Sequence, residues 1–118
     1  FIPRNILEDV GLLDSDYLAY YEDVDYCLRA KNLGYELKIC EDIYIRHFHS
    51  ASTSKNLGFK RYLIARNSIL FARKNYKFPK STIFITMSII RGLIQNYNYL
   101  PYFFRGVKEG INFNIHSK

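Results

Sequence analysis

Three carboxylates lie within four residues at the start of a predicted helix, in the run Tyr21-Glu22-Asp23-Val24-Asp25. A carboxylate beside a tyrosine, at a junction between a loop and a helix, suits a general base that takes a proton from a reacting hydroxyl group. The same residues suit a second role, because carboxylates in a first helical turn stabilise its free amides and the positive end of its dipole. In that case Asp25 pairs with Arg29 one turn further along. From the run alone, both interpretations stay open.

Two histidines and an Arg-Asn pair could also carry chemistry. His47 and His49 are two residues apart at the end of a predicted strand, so their side chains would lie on one face and could share a ligand. A lone histidine of this kind is more often structural. The guanidinium of Arg66, which precedes Asn67 in a predicted helix, could hold a phosphate through two parallel hydrogen bonds. The alternative is that Arg66 packs its stem and pairs with the acidic run.

Periodicity along the chain predicts the elements that must position these residues. Apolar residues at helical spacing predict helices over 6–10, from 22 or 23 to about 32, and over 58–75, 79–95 and 101–110. The β-branched residues of the fourth helix leave a strand as an alternative there. Gly34 supplies the left-handed residue that commonly ends a helix. Alternating apolar and polar residues then predict two short strands, at 35–39 and 43–45.

The remaining basic residues and the two cysteines are expected to be structural. Lys60, Arg61, Arg73 and Lys74 are expected to form a solvated helix face. Cys27 on a predicted helix and Cys40 on a predicted strand have no metal-ligand spacing, and they are expected to be reduced thiols in the core.

The order of several short motifs resembles the second half of a family-2 glycosyltransferase catalytic domain, and it looks most like the rhamnosyltransferase-type members that build bacterial surface polysaccharides. The motifs are the segment 1–14, the run Tyr20-Tyr21-Glu22-Asp23-Val24-Asp25-Tyr26-Cys27-Leu28-Arg29-Ala30, Gly34-Tyr35, His47 with Ser52, and Arg66-Asn67. The resemblance implies an α/β fold, namely the C-terminal portion of a GT-A type nucleotide-diphospho-sugar transferase domain, with few short strands and a mostly helical tail. It assigns residues 1–76 to the acceptor-side part of that domain and 77–118 to the tail.

The implied reaction assigns roles to the acidic run. Transfer of a sugar with inversion needs a carboxylate that accepts the proton of the acceptor hydroxyl as its oxygen attacks the anomeric carbon. By resemblance to the family's Glu-Asp motif, Asp23 is this general base, and Glu22 orients the acceptor or the base. Asp25 is expected to cap the helix and pair with Arg29 rather than contact substrate.

The resemblance also implies binding roles. Arg66, Asn67 and Tyr21 are expected to bind the substrate or its diphosphate. His47, followed five residues later by Ser52 as in the family, is expected to coordinate a metal or contact the diphosphate. The implied cofactor is a divalent metal, Mg or Mn, held mostly by the N-terminal half of the family's domain.

The length and the net charge of the chain limit what it can be expected to do. At 118 residues the chain is at most one small domain, so it is expected to be a fragment that is inactive by itself. Its net charge of +6 favours anionic partners, whereas nucleic acid is disfavoured because no zinc-finger or RNA-recognition signature occurs. The expected partners are a nucleotide-diphosphate sugar and a glycan or lipid-linked acceptor, in the cytoplasm or at the inner face of the cell membrane. The alternative function is a non-catalytic interaction or membrane-docking module, and self-association stays open.

Overall fold

A computed structural model describes residues 1–44, 56–95 and 97–115. Within these ranges the chain forms five α-helices, which are α1 Arg4–Val10, α2 Glu22–Asn32, α3 Leu57–Asn75, α4 Lys80–Gln95 and α5 Leu100–Asn112. Short 3₁₀ turns, Ser15–Tyr17 and Tyr97–Tyr99, precede α2 and α5. The predicted helices are therefore confirmed. Gly34, at φ +92°, follows Leu33, the C-cap residue of α2, and supplies the expected left-handed residue.

The α/β fold class and the predicted strands are wrong for the residues that the structure describes, which contain helices and no β-strand. Leu37 and Ile39 of the first predicted strand are 59% and 91% exposed. A strand is stable only when a neighbouring strand accepts and donates its backbone hydrogen bonds. No described segment offers such a ladder, so the alternating apolar residues have no face to bury. Cys40 lies in this segment and is exposed, which also corrects its assignment to the core.

The central element is α3, which is buried without a break from residue 65 to residue 72. A helix that is covered on all sides must have partners around its whole circumference. One of these is α5, whose glycines allow the two backbones to approach closely. A Cβ atom added to Gly106 would lie 2.3 Å from the carbonyl oxygen of Tyr62, and one added to Gly110 would lie 2.6 Å from that of Arg66. Only glycine fits at these two positions.

The helix α4 packs on α3 as well, and its helical rather than extended form follows from the residues it buries. Ser81, Phe84, Ser88 and Gly92 are three or four residues apart, so they share one side of a helix, and all are partly or fully buried. Gly92 lies directly against Phe103 of α5. Both α4 and α5 belong to the predicted tail, and the division of the chain at residue 76 stays a prediction. Within the part of the chain that the structure describes, none of the helices has the length and hydrophobicity to span a bilayer.

The segment between α1 and α2 crosses over α3 and completes the core. Tyr17, in the first 3₁₀ turn, is fully buried against Leu70 and Phe71 of α3. Phe71 also has its ring 5.5 Å from that of Tyr21 and 5.9 Å from that of Phe84 in α4. One aromatic side chain of α3 therefore contacts both the crossing segment and α4.

Two of the basic residues expected on a solvated face are instead used by tertiary contacts. Arg73 donates to the carbonyl oxygens of Gly110 and Phe113 at 2.8 and 2.9 Å, and so it holds the end of α5. The side chain of Lys74 is only 12% exposed and forms ion pairs with Asp14 and Asp16. The expectation is wrong for these two residues because their partners lie far away in the sequence.

The close approach of α3 and α5 generates a stability test. We expect Gly110→Ala to lower the free energy of unfolding by about 1–3 kcal/mol, because the new methyl group overlaps a backbone oxygen that cannot move aside. The gain of about 1 kcal/mol from the helix propensity of alanine offsets this only in part. Urea denaturation measures the change, and Lys108→Ala, at an exposed position of the same helix, is the control. Equal stability of the two variants would contradict this account of the packing.

Candidate functional site

The acidic run begins α2 directly after a loop with an unusual backbone. Leu18, Tyr20 and Tyr21 have φ values of 58°, 67° and 75°. Residues other than glycine rarely adopt a backbone conformation with a positive φ of this size. The amide of Ala19 donates to the carbonyl oxygen of Tyr17 at 2.6 Å, which closes a tight γ-turn around Leu18. Each such residue costs about 1–3 kcal/mol, so the conformation persists only if its surroundings impose it.

The side chain of Asn67 holds this loop. It is fully buried, and its nitrogen donates to three loop carbonyl oxygens, those of Tyr17, Ala19 and Tyr20, at 2.7, 2.7 and 2.8 Å. The amide oxygen accepts a hydrogen bond of 2.7 Å from Arg66. Because its oxygen is engaged on the Arg66 side, the amide must present its nitrogen to the loop. The strained backbone is therefore imposed by a residue in the middle of α3.

Arg66 is itself enclosed by protein partners. Its guanidinium donates to the carbonyl oxygen of Asp16 at 2.8 Å and pairs with Glu109 at 3.0 Å, and it stacks 4.6 Å from the ring centre of Phe113. The ion pair that the sequence suggested as an alternative thus forms with α5 rather than with the acidic run. In this structure Arg66 and Asn67 position the loop, and their predicted contact with a diphosphate stays a prediction.

The last carboxylate of the run, Asp25, is a buried structural centre. It is 2% exposed, and it accepts hydrogen bonds from Tyr17 at 3.1 Å, Asn75 at 2.9 Å and Arg29 at 2.8 Å. The predicted pair with Arg29 is confirmed. Burial, and then the negative charge of Asp25, raise the pKa of Tyr17 well above its ordinary value, so this hydroxyl remains a donor. Asp25 therefore joins α2 to the crossing segment and to α3.

The start of the crossing segment is fixed by a second ionic contact. Asp14 accepts a hydrogen bond of 2.7 Å from the ammonium group of Lys74, and Asp16 accepts a second hydrogen bond from the same group. Burial alone would lower the pKa of Lys74, but the two carboxylates outweigh it and raise the pKa above its ordinary value. Lys74 is therefore charged at neutral pH, and both ends of the loop before α2 are held by α3.

The predicted catalytic residues lie at the end of this held loop. Asp23 is exposed, and one of its carboxylate oxygens accepts a hydrogen bond of 2.8 Å from the amide of Val24. Glu22 is partly buried, and its Oε2 has no hydrogen-bond partner among the described residues. Tyr21 is half-buried, and burial raises its pKa while the positive charge of Arg91 opposes that shift. Asp23 is thus more exposed than the two residues that directly precede it.

Sequence reasoning selected Asn67 as a binding residue but missed the positioning role of the helix face to which it belongs, because that face mixes polar and apolar residues. Asn67, Leu70, Phe71 and Lys74 follow the spacing of one helix face, and all four contact the segment before α2. A search for apolar periodicity alone passes over such a face. A search for helical spacing that also admits polar residues could have found this face, because Asn67 and Lys74 lie one at each end of the apolar pair Leu70 and Phe71.

The metal site predicted for His47 lies outside the described residues, as do His49 and Ser52. Among the residues that are described, no three His, Cys, Asp or Glu side chains are grouped so as to hold a metal ion. Glu22 and Asp23 supply oxygen atoms of the kind that Mg²⁺ and Mn²⁺ prefer, but two carboxylates do not complete such a site. The divalent metal stays a prediction.

The role of Asn67 in holding the loop can be tested. We expect Asn67→Ala to lower the free energy of unfolding by about 2–4 kcal/mol, because it leaves buried carbonyl groups without a donor at about 1–3 kcal/mol each. Amides of residues 18–23 should also exchange their hydrogens faster. Asn112→Ala, at an exposed position of α5, is the matched control. Unchanged exchange in the loop would show that other contacts impose its conformation.

Comparison with known proteins places the chain near glycosyltransferases. Over 83 residues, which are 64% of this chain and 28% of the relative, it is 30% identical to the dTDP-rhamnosyl transferase RfbF of Shigella flexneri. Over 94 residues, 74% of this chain and 30% of the relative, it is 23% identical to the low-salt glycan biosynthesis hexosyltransferase Agl10 of Haloferax volcanii. No protein-family model matches the chain. No solved structure matches it either.

These similarities have a limited extent. The chain spans less than a third of the length of each curated relative that it matches. The two matches support the resemblance to glycosyltransferases at low identity, and they do not confirm the GT-A type. At low identity, the chain is similar to part of two glycosyltransferases.

Proposed function

We propose that the protein carrying this chain transfers a sugar from a nucleotide-diphosphate donor to a glycan or lipid-linked acceptor, with inversion, in surface polysaccharide synthesis. Two distant relatives named as glycosyltransferases support the reaction class. The observation that carries the proposal is the contrast within the acidic run. Asp23 is exposed at the end of a loop held in a strained conformation, whereas Asp25 two residues later is buried by structural partners.

In the proposed mechanism Asp23 is the general base. Its carboxylate accepts the proton of the acceptor hydroxyl as that oxygen forms a bond to the anomeric carbon. The bond from the anomeric carbon to the diphosphate breaks on the opposite face, and the nucleoside diphosphate leaves. The hydrogen bond from Val24 to one oxygen of Asp23 fixes the rotation of the carboxylate, which helps to orient a base toward its substrate.

The neighbouring residues take supporting roles in this proposal. Glu22 orients the acceptor or the base, and its carboxylate oxygen Oε2 is buried without a hydrogen-bond partner in the described part of the chain. Arg66 and Asn67 act by holding the loop, and a direct contact of Arg66 with a diphosphate would require it to exchange its present partners. A divalent metal, with His47 as a candidate ligand, would neutralise the charge of the leaving diphosphate when bound.

The assignment of Asp23 generates a direct test. We expect Asp23→Asn in the full-length protein to reduce sugar transfer by roughly a hundred-fold to ten-thousand-fold, because the amide keeps the shape of the side chain and loses its basicity. Transfer of a radiolabelled sugar measures the effect. Asp42→Asn, which neutralises another exposed carboxylate, should leave the rate within a few-fold of the parent. A similar result for Asp23→Asn would remove it from the mechanism.

A second candidate function, docking on an anionic membrane surface, is favoured by the outer face of α4. Ile83, Met87, Ile90 and Ile94 are three or four residues apart and between 51% and 77% exposed, so the surface side of this helix is apolar. Such a face on a helix with basic flanks is typical of a helix that lies in the membrane interface.

The distribution of charge along the chain favours the same candidate. Residues 1–42 contain ten acidic and four basic side chains, whereas residues 43–118 contain one acidic and thirteen basic side chains. The part of the chain that includes α4 is therefore strongly cationic and complements an anionic leaflet. This would place the protein at the inner face of the cell membrane, where a lipid-linked acceptor would be available.

Membrane docking can be tested by point substitutions on the outer face of α4. We expect the full-length protein to sediment with anionic vesicles at low salt, and the double variant Ile83→Gln/Ile90→Gln to bind at least roughly ten-fold less, since each buried isoleucine contributes about 1.5–3 kcal/mol. Thr86→Gln, at an exposed polar position of the same helix, is the control. Deletion after Pro79 is a poorer test because it removes α5 from the core. Equal binding of both variants would favour packing of this face against protein.

A further inference from the structure

A cleft of about 530 Å³ lies between α3 and α4, beside the acidic run. Arg61 of α3, Arg91 of α4 and Tyr21 of the strained loop all line it. Apolar side chains, including those of Phe84 and Phe103, line it as well. Its volume is in the range of small-molecule sites, and its lining combines two cations with apolar surface.

The two arginines of the cleft have no carboxylate partner in the described part of the chain, and they share this with Arg105, which lies 5.6 Å from the ring centre of Tyr62. Arg29 and Arg66 form ion pairs with carboxylates, and Arg73 donates to backbone carbonyl oxygens. Arg61 and Arg91 have no ion pair within residues 1–44, 56–95 and 97–115. The Nε of Arg61 is buried there without a hydrogen-bond partner. A buried charged donor without a partner is costly, so a ligand that accepts from it would be stabilised.

The cleft also reaches the candidate catalytic residues. Tyr21 lines it and directly precedes Glu22. The charge of Arg91 opposes the rise in the pKa of Tyr21 that burial causes, so the two side chains lie within electrostatic reach of each other. Among the described residues, no acidic side chain lines the cleft. An anion bound between Arg61 and Arg91 would therefore lie beside the start of α2.

We propose that this cleft binds the phosphate groups of an organic diphosphate, with Arg61 and Arg91 as the anion ligands and the apolar lining holding the organic portion. Planar guanidinium groups bind phosphate oxygens through paired hydrogen bonds, and such charge-assisted bonds are about twice as strong as neutral ones. The inference rests on the proposed function, because both substrates of such a transferase can carry this group. A nucleoside diphosphate and a lipid-linked diphosphate share the chemistry that the cleft recognises.

Isothermal titration calorimetry on the full-length protein tests the proposal with two probes, a nucleoside diphosphate and the short prenyl ester farnesyl diphosphate. We expect Arg61→Gln and Arg91→Gln each to weaken the binding of at least one probe by roughly ten-fold to a hundred-fold. Arg105→Gln, which removes the same charge from α5 outside the cleft, should change the affinity less than about two-fold. Circular dichroism checks that the variants are folded. Arg91 is exposed, so its variant decides the question even if Arg61→Gln unfolds.

The pattern of loss identifies the source of the diphosphate. Weakened binding of farnesyl diphosphate alone supports a lipid-linked acceptor, and weakened binding of the nucleoside diphosphate alone supports the donor. Weakened binding of both supports a site that recognises the shared diphosphate. Unchanged affinities in both cleft variants, an equal loss in Arg105→Gln, or no binding of either probe by the parent would overturn the proposal.

Failure of this inference can be separated from failure of the proposed function. Asp23→Asn should keep the affinity of the parent for both probes, because Asp23 does not line the cleft. If Asp23→Asn loses transfer while the cleft variants bind normally, the transferase stands and the diphosphate site is wrong. If the cleft variants lose binding while the parent shows no sugar transfer, the diphosphate site stands and the proposed reaction is wrong.

Discussion

The buried amide of Asn67 is the interaction on which the arrangement of the site depends. It donates to three carbonyl oxygens of a loop whose backbone is strained at Leu18, Tyr20 and Tyr21. A loop of this kind would relax in water, because its left-handed residues have no local compensation. The donor lies in the middle of α3, the most completely buried helix. The direction in which the loop enters α2, and hence the position of the acidic run, follows from that contact.

Burial separates the carboxylates of the run into different roles. Asp25 accepts three hydrogen bonds inside the protein and joins α2 to the crossing segment. Asp23 is exposed, and Glu22 is intermediate between them. One helical turn is enough to produce this difference, because successive residues of a helix point about 100° apart. The last member of the acidic run thus stabilises the fold in which Asp23 is exposed.

Cationic and apolar side chains of α3 and of the helices that follow it lie beside the acidic run. Gly106 and Gly110 let α5 lie directly against α3, and Gly92 lets α4 lie against Phe103. Close contact of the backbones on these sides leaves the larger side chains to line the cleft and the outer face of α4. The cations of α3 and α4 that lack carboxylate partners there are the features that complement an anionic substrate or surface.

The sequence by itself determined the features that depend on neighbours within about four residues. These are the positions of the helices, the left-handed Gly34 and the pair of Asp25 with Arg29, because helical hydrogen bonds and side-chain contacts repeat at that spacing. Only the tertiary structure decided the features that depend on distant residues. Residues 35–39 have a strand pattern but no described neighbour to pair with, and the partner of Asn67 is 50 positions away in the sequence. The local sequence pattern of a segment does not determine which distant groups form hydrogen bonds with it. Those partners depend on which polar groups the fold buries together.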